Sequence, residues 1–246
     1  GIPDSVASRG LGDVYKRQVL IRHGQPEWVK DGEYTVDPGL TEIGKKQAEQ
    51  SASTFEKNSI DEIWVSPLNR AKETLKPYEQ RNIAPKIKTF DWLREALDDD
   101  EKKLIGESQE TIREYFDHRN TRSFEDWMET THGAYMKGFS KNIVKNLEES
   151  LSDIGIISTD SRYDRLFDLS SSKISKLMIV SHAGTMSTLL SYLLNLPLYP
   201  WTWRKFLPRH AGHTFLRSTE ISSGHFFRMK EFNNVSFMDN AELKTY

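Results

Sequence analysis

Three short stretches, far apart in the chain, lead into the same kind of chemistry. VLI runs into Arg22-His23-Gly24, IWV into Ser66-Pro67-Leu68-Asn69-Arg70, and LMIV into Ser181-His182-Ala183-Gly184. Each is an apolar run of strand length followed by cationic, imidazole or hydroxyl side chains and a turn or helix start. In an open α/β sheet, ligands bind beyond the carboxyl ends of the strands. Helix N-termini at that edge add free N–H groups and partial positive charge. Arg22, His23, Arg70 and His182 are therefore expected to meet in one crevice. Two guanidinium groups and two imidazoles beside backbone donors suit a phosphate, because planar forks fit phosphoryl oxygens better than ammonium groups do.

The elements that must position these groups follow from local pattern. A strand is expected at Val19–Ile21. Thr41 is placed to cap a helix running from Glu42 towards Phe55, with Ile43, Ala48, Ala52 and Phe55 on one face. A strand at Glu62–Val65 stops at Ser66-Pro67, where Ser can cap and Pro can take the first helical position before a helix over Leu68–Tyr78. Further strands are expected at Lys86–Trp92 and Leu177–Val180, and a helix at Thr185–Leu194. His213–Ser218 and Phe226–Phe232 flank Ser222-Ser223-Gly224 as a hairpin. Residues 98–151 are charged and read as helices, an excursion forming a cap beside the carboxyl edge of the sheet. Residues 158–176, rich in Ser and Asp, read as a loop. Alternating strands and helices imply an α/β fold with a largely parallel sheet covered on both faces.

Composition excludes several function classes. The chain has 246 residues and no cysteine, which removes disulfides, thiolate metal sites, Fe–S clusters and a Cys nucleophile. A net charge of −2 lacks the basic excess of a general nucleic-acid binder. The aromatic and cationic cluster Trp201–Lys205 therefore reads as surface, or as a rim guiding an anion, rather than a base-stacking platform. Mean hydropathy is −0.64 and no apolar run reaches membrane-spanning length, so no membrane partner is expected. Residues 1–16 have neither an h-region nor a periodic pattern; they are expected to be non-native or disordered, ahead of a single domain over 17–246. A cytoplasmic location is the expectation, and no feature encodes an oligomeric state.

Taken together, RHG at 22–24, SPLNRAKET at 66–74, WLREAL at 92–97 and VSHAGT at 180–185 resemble the histidine phosphatase superfamily, the phosphoglycerate mutase-like proteins. DPGLTEIGKKQA at 37–48 and, loosely, FNNVSFMD at 232–239 extend the likeness over about residues 18–240. The resemblance implies a three-layer α/β/α sandwich with a mostly parallel, mixed sheet and a helical cap insertion. It implies His23 as the nucleophile that becomes a phosphohistidine. Arg22, Arg70 and His182 would hold the phosphoryl oxygens. Glu95 would protonate the leaving oxygen and then help activate water. Glu101, Glu107 and the run Asp98-Asp99-Asp100 compete with Glu95 for that role, since many relatives have a Gly-rich stretch there. Gly24, Gln25 and Ala183 are the remaining expected substrate-binding positions, with Ser66 a possible secondary contact.

Physics favours the same division of labour. Phosphoryl transfer needs placement and charge neutralisation more than covalent help. A phosphomonoester near −2 would meet Arg22, Arg70 and a protonated His182. Neighbouring cations keep His23 in the neutral form that can attack. No metal or cofactor is required. His210 and His213 have H-x-x-H spacing but no third convincing ligand, so packing is expected of them, with His210 near the crevice. The expected function is hydrolysis of a small phosphorylated substrate. A phosphoglycerate mutase of the same family is the first rival, although Pro26 and Val29 stand where mutases of the family typically carry Ser or Thr and then Asn. A non-catalytic phosphate-binding or protein-interaction module is the second.

Overall fold

Alternation along the strands explains the layers. In β1 (Arg17–Arg22), Val19 and Ile21 are buried against one set of helices and Leu20 against another. β4 (Glu62–Val65) repeats this with Ile63 and Val65 opposite Trp64, and β8 (Lys176–Ser181) with Met178 and Val180 opposite Leu177 and Ile179. A strand buried on both faces lies between two helical layers. One layer is α1 (Glu42–Ser53) and α2 (Asn69–Gln80), contributing Ala52, Ala71, Leu75 and Tyr78. The other is α3 (Thr131–Asp153) and α4 (Ala183–Leu193), contributing Ile143, Leu147, Met186 and Leu190. The coordinates are a computed structural model and describe residues 16–95, 129, 131–160, 164–198 and 205–246.

The remaining strands are β2 (Val29–Lys30), β3 (Glu33–Tyr34), β5 (Ile87–Thr89), β6 (Ile157–Asp160), β7 (Arg165–Asp168), β9 (His213–Ile221) and β10 (Gly224–Asn234). Among the described residues, eight strands form one sheet in the order β5-β4-β8-β1-β9-β10-β7-β6. Neighbours from β5 to β1 pair in parallel, and those from β1 to β6 pair antiparallel. Only β9 and β7 therefore oppose the direction of the others. The sheet is mixed and mostly parallel, with helices on both faces, as expected. β2 and β3 form a separate ribbon across Asp31-Gly32, both at positive φ, which is the turn a two-residue hairpin demands.

Thr41 caps α1 as its sequence suggested, its side chain accepting the Gly44 N–H at 3.0 Å. Other local readings need correction. Ile43 is exposed; the buried face of α1 is Gly44, Gln47, Ala48, Ser51 and Ala52, because polar residues there meet polar partners behind the site. Pro67 lies outside α2, which begins at Asn69 after an extended Leu68. The Lys86–Trp92 strand is only Ile87–Thr89, followed by a tight turn of 3-10 helix over Asp91–Leu93. Residues 158–176 are not simply a loop: β6 and β7 form an antiparallel pair that extends the sheet, with Leu166 and Phe167 buried. The β9–β10 hairpin is longer than its apolar cores implied, since Thr219, Glu220 and His225 also pair. β1 starts at Arg17, which pairs with Lys176. Of the excursion read at 98–151, the part in α3 packs against α4 and covers the sheet, while 96–128 lie outside the described residues.

Candidate functional site

Strand register brings the predicted groups together. β1 and β8 are parallel neighbours with Arg22 opposite Ser181. His23 and His182 are the next residues on each strand, so both imidazoles leave the same edge of the sheet. Their ring centroids are 5.0 Å apart. β4 lies on the other side of β8 with Val65 opposite Val180, which sets Ser66 beside His182. The Ser66 hydroxyl and His182 Nε2 are 2.7 Å apart. Arg70 follows on the first turn of α2 and Glu95 follows the Asp91–Leu93 turn.

Each group is held by a nameable contact. His23 Nδ1 is 2.7 Å from its neighbour's carbonyl, Gly24 O, so that nitrogen carries the hydrogen and Nε2 keeps the lone pair. Ser66 Oγ accepts from the Leu68 N–H and can donate its own hydrogen to His182 Nε2, which leaves the ring hydrogen on Nδ1. That Nδ1 is buried without a partner among the described residues, as is Arg22 Nε. Arg22 is anchored through Nη1 to Pro208 O at 2.7 Å. Arg70 is buried, 3.7 Å from Asp37 and with its guanidinium 5.1 Å from the centre of the Trp28 ring. Trp28 in turn stacks on Tyr34 at 5.9 Å across the short ribbon.

Glu95 is positioned from β8 and α4. Gly184 N–H donates to Glu95 Oε1 at 3.1 Å. Ser181 Oγ donates to Leu93 O at 2.8 Å, and Thr185 Oγ1 donates to Arg94 O. Three consecutive residues of the 93–95 segment are thus tied to the strand and helix that present His182. The competing acids Asp98, Asp99, Asp100, Glu101 and Glu107, and most of the Trp201–Lys205 cluster, lie outside the described residues.

The electrostatics favour neutral imidazoles. Burial, then His182, Arg22 and Arg70, hold His23 well below the ordinary histidine pKa, only partly opposed by the Gly24 carbonyl. Burial, then Arg70, Arg22 and Arg94, do the same to His182. In this structure the positive charge beside the two rings comes from the arginines. Burial lowers Arg22 as well, with Glu95 acting against it and Arg70 with it; a guanidinium stays charged regardless.

Some expected contacts go elsewhere. Gln25 Oε1 accepts from the Thr41 hydroxyl at 2.8 Å, so its side chain serves the cap of α1. Gly24 is required by packing: a Cβ there would stand 2.6 Å from Gly44 O. Gly24 N–H donates to Thr74 Oγ1 at 2.8 Å, tying the residue after His23 to α2. Ala183 opens α4. The H-x-x-H pair separates: His210 Nδ1 meets Thr245 Oγ1 at 2.8 Å and lies near His23, whereas His213 Nε2 meets Ser51 Oγ at 2.6 Å on a stacked Phe237. Sequence reasoning missed Trp28, Thr74 and Gly44. Only Asp31-Gly32, a hairpin turn signal, hinted at the ribbon that carries Trp28.

With this geometry in place, comparison with known proteins is decisive for kinship. The family model described as histidine phosphatase superfamily (branch 1) matches residues 18–234. This chain belongs to the histidine phosphatase superfamily. Phosphoserine phosphatase 1 of Hydrogenobacter thermophilus is 40% identical over 68 residues, 26% of this chain and 32% of that protein. A 2,3-bisphosphoglycerate-dependent phosphoglycerate mutase of Parvibaculum lavamentivorans is 42% identical over 60 residues, 23% of this chain and 29% of its own. The matched segments therefore span about a third of these relatives' length. The fold resembles phosphoserine phosphatase of Entamoeba histolytica in complex with 3-phosphoglyceric acid: TM-score 0.59, 19% identity, covering 91% of this chain and 99% of that one. A putative alpha-ribazole-5'-P phosphatase of Escherichia coli gives 0.58, 22%, 89% and 97%. Superfamily relatives thus include both phosphatases and phosphoglycerate mutases. Among the described residues, no helix is long and apolar enough to cross a membrane.

Proposed function

We propose that this superfamily member is a phosphomonoesterase working through a phosphohistidine on His23. The observation that carries this reading is a neutral, buried imidazole, with its Nδ1 committed to Gly24 O, set beside a second imidazole and two arginines. The His23 Nε2 lone pair attacks phosphorus and the ester P–O bond breaks. A proton from Glu95 passes to the leaving oxygen, so the product leaves as an alcohol. Water then attacks phosphorus, its proton goes to Glu95, and the P–N bond breaks to release phosphate. Arg22, Arg70 and the His182 Nδ1–H hold the phosphoryl oxygens through both steps. Preorganised donors of this kind are worth the most in a water-poor site. The reaction needs no metal or nucleotide, and chelator should leave the rate unchanged.

A small phosphorylated substrate is the class expected, consistent with the phosphatases among the relatives. Replacing His23 with Ala should abolish hydrolysis of an aryl phosphate and the acid-labile phosphoenzyme together. Full activity in that variant would remove the assignment. Similarity to a phosphoglycerate mutase keeps a second reading in view. Incubation with a phosphoglycerate separates the two: inorganic phosphate for a phosphatase, an interconverted isomer for a mutase.

A further inference from the structure

A third imidazole borders His23 and takes no part in the steps above. His210 is only 4% exposed, and its ring centroid is 5.7 Å from that of His23, against 5.0 Å for His182. At these separations one tetrahedral phosphoryl group on His23 can reach both flanking rings through hydrogen bonds of about 2.8 Å.

The segment around His210 is fastened to the Arg22-His23 edge on either side. Pro208 O accepts from Arg22 Nη1 at 2.7 Å. Ala211, at a φ of 54°, shares its N–H between Arg22 O at 3.0 Å and His23 O at 3.3 Å. A non-glycine residue in left-handed backbone is strained, and such strain persists only where the surroundings enforce it. The chain end fixes the ring itself. His210 N–H donates to Thr245 O at 3.1 Å, and its Nδ1 meets Thr245 Oγ1 at 2.8 Å.

The tautomer follows from the neighbours. Gln47 Oε1 accepts from the Gln25 N–H, so Gln47 Nε2 is a donor, to Leu243 O at 2.7 Å and Thr245 Oγ1 at 2.8 Å. Thr245 Oγ1 accepts there and has its own hydrogen to give to His210 Nδ1. The ring hydrogen then sits on Nε2. Burial, with Arg22 nearby, pulls the His210 pKa down to about 3, so the ring is a neutral single donor.

We propose that His210 is a further substrate-contacting residue, its Nε2–H donating to an oxygen of the phosphoryl group carried by His23. This rests on the phosphohistidine reading of the site and adds a donor that the sequence motifs do not contain.

Inorganic phosphate, titrated calorimetrically into the full chain, is the probe. A hydrogen bond to a charged group predicts that His210→Phe weakens phosphate binding about 10–100-fold. His210→Gln keeps an N–H and should recover part of it; Thr245→Val leaves the ring unoriented and should fall between. In histidine-15N-labelled wild type, the His210 Nε2 resonance should move as phosphate saturates. Phosphate affinity in His210→Phe within twofold of wild type overturns the proposal. Should that variant fail to fold, an unmoved Nε2 resonance in wild type overturns it equally. Wild type that binds no phosphate at all would instead overturn the reading of the site.

Discussion

The backbone N–H of Gly184 donates to Glu95 Oε1 at 3.1 Å, across 89 residues of sequence. The same helix starts directly after His182 and ties down Arg94 through Thr185. Glu95 and His182 are therefore set on one support.

That arrangement predicts a leaving-group effect. General acid help matters only when the departing oxygen needs a proton. Glu95→Gln should slow phosphoenzyme formation from an alkyl phosphate about 10²–10⁴-fold, and from p-nitrophenyl phosphate far less. Thr185→Val should show the same selectivity more weakly, because it loosens Glu95 without removing it. Rapid-quench measurement of the first step decides the matter. An equal loss on both substrates would assign Glu95 to binding rather than proton transfer.

The crossing of Gly24 and Gly44 predicts a stability effect with a built-in control. A Cβ on Gly24 would meet Gly44 O at 2.6 Å and one on Gly44 would meet Gln25 O at 2.3 Å, both rigid backbone. Gly24→Ala should cost about 1–3 kcal/mol through overpacking. For a chain of this size that lowers Tm by about 2–4 °C per kcal/mol. Gly138, exposed in α3 with nothing near its missing Cβ, should gain about 0.5–1 kcal/mol as Ala. Thermal melts of the two variants should move in opposite directions.

Buried neutral histidines predict acid lability. Burial lowers His213 to about 3, and His23, His182 and His210 are lowered too. For His213 and His210, between that value and the unfolded reference of about 6.5, the unfolded chain binds protons that the folded chain refuses. Stability is thus complete above about pH 6.5 and falls with pH below it, by about 1.4 kcal/mol per unit for each such group. His213→Gln keeps a partner for Ser51 and should flatten the dependence by about that amount. Urea midpoints at pH 7, 6 and 5 test this; an unchanged slope would place a proton on folded His213.

Sequence alone determined the strands at 19–21, 62–65 and 177–180, the Thr41 cap, and the placing of Arg22, His23, Arg70 and His182 at strand ends or helix starts. These are local consequences of apolar runs, cap chemistry and helix N-termini, and parallel register then makes the convergence of His23 and His182 nearly automatic. What lay beyond it depended on partners remote in the chain. Gln25 turned to Thr41, Ile43 faced solvent, and Gly24 proved to serve a backbone crossing at Gly44. β6 and β7 looked like loop because only their contact with β10 and each other satisfies those Ser- and Asp-rich residues. His210 reached His23 through Thr245, 35 residues later. Pairings of that separation leave no periodicity to read, because they are chosen by which surfaces fit once the layers close.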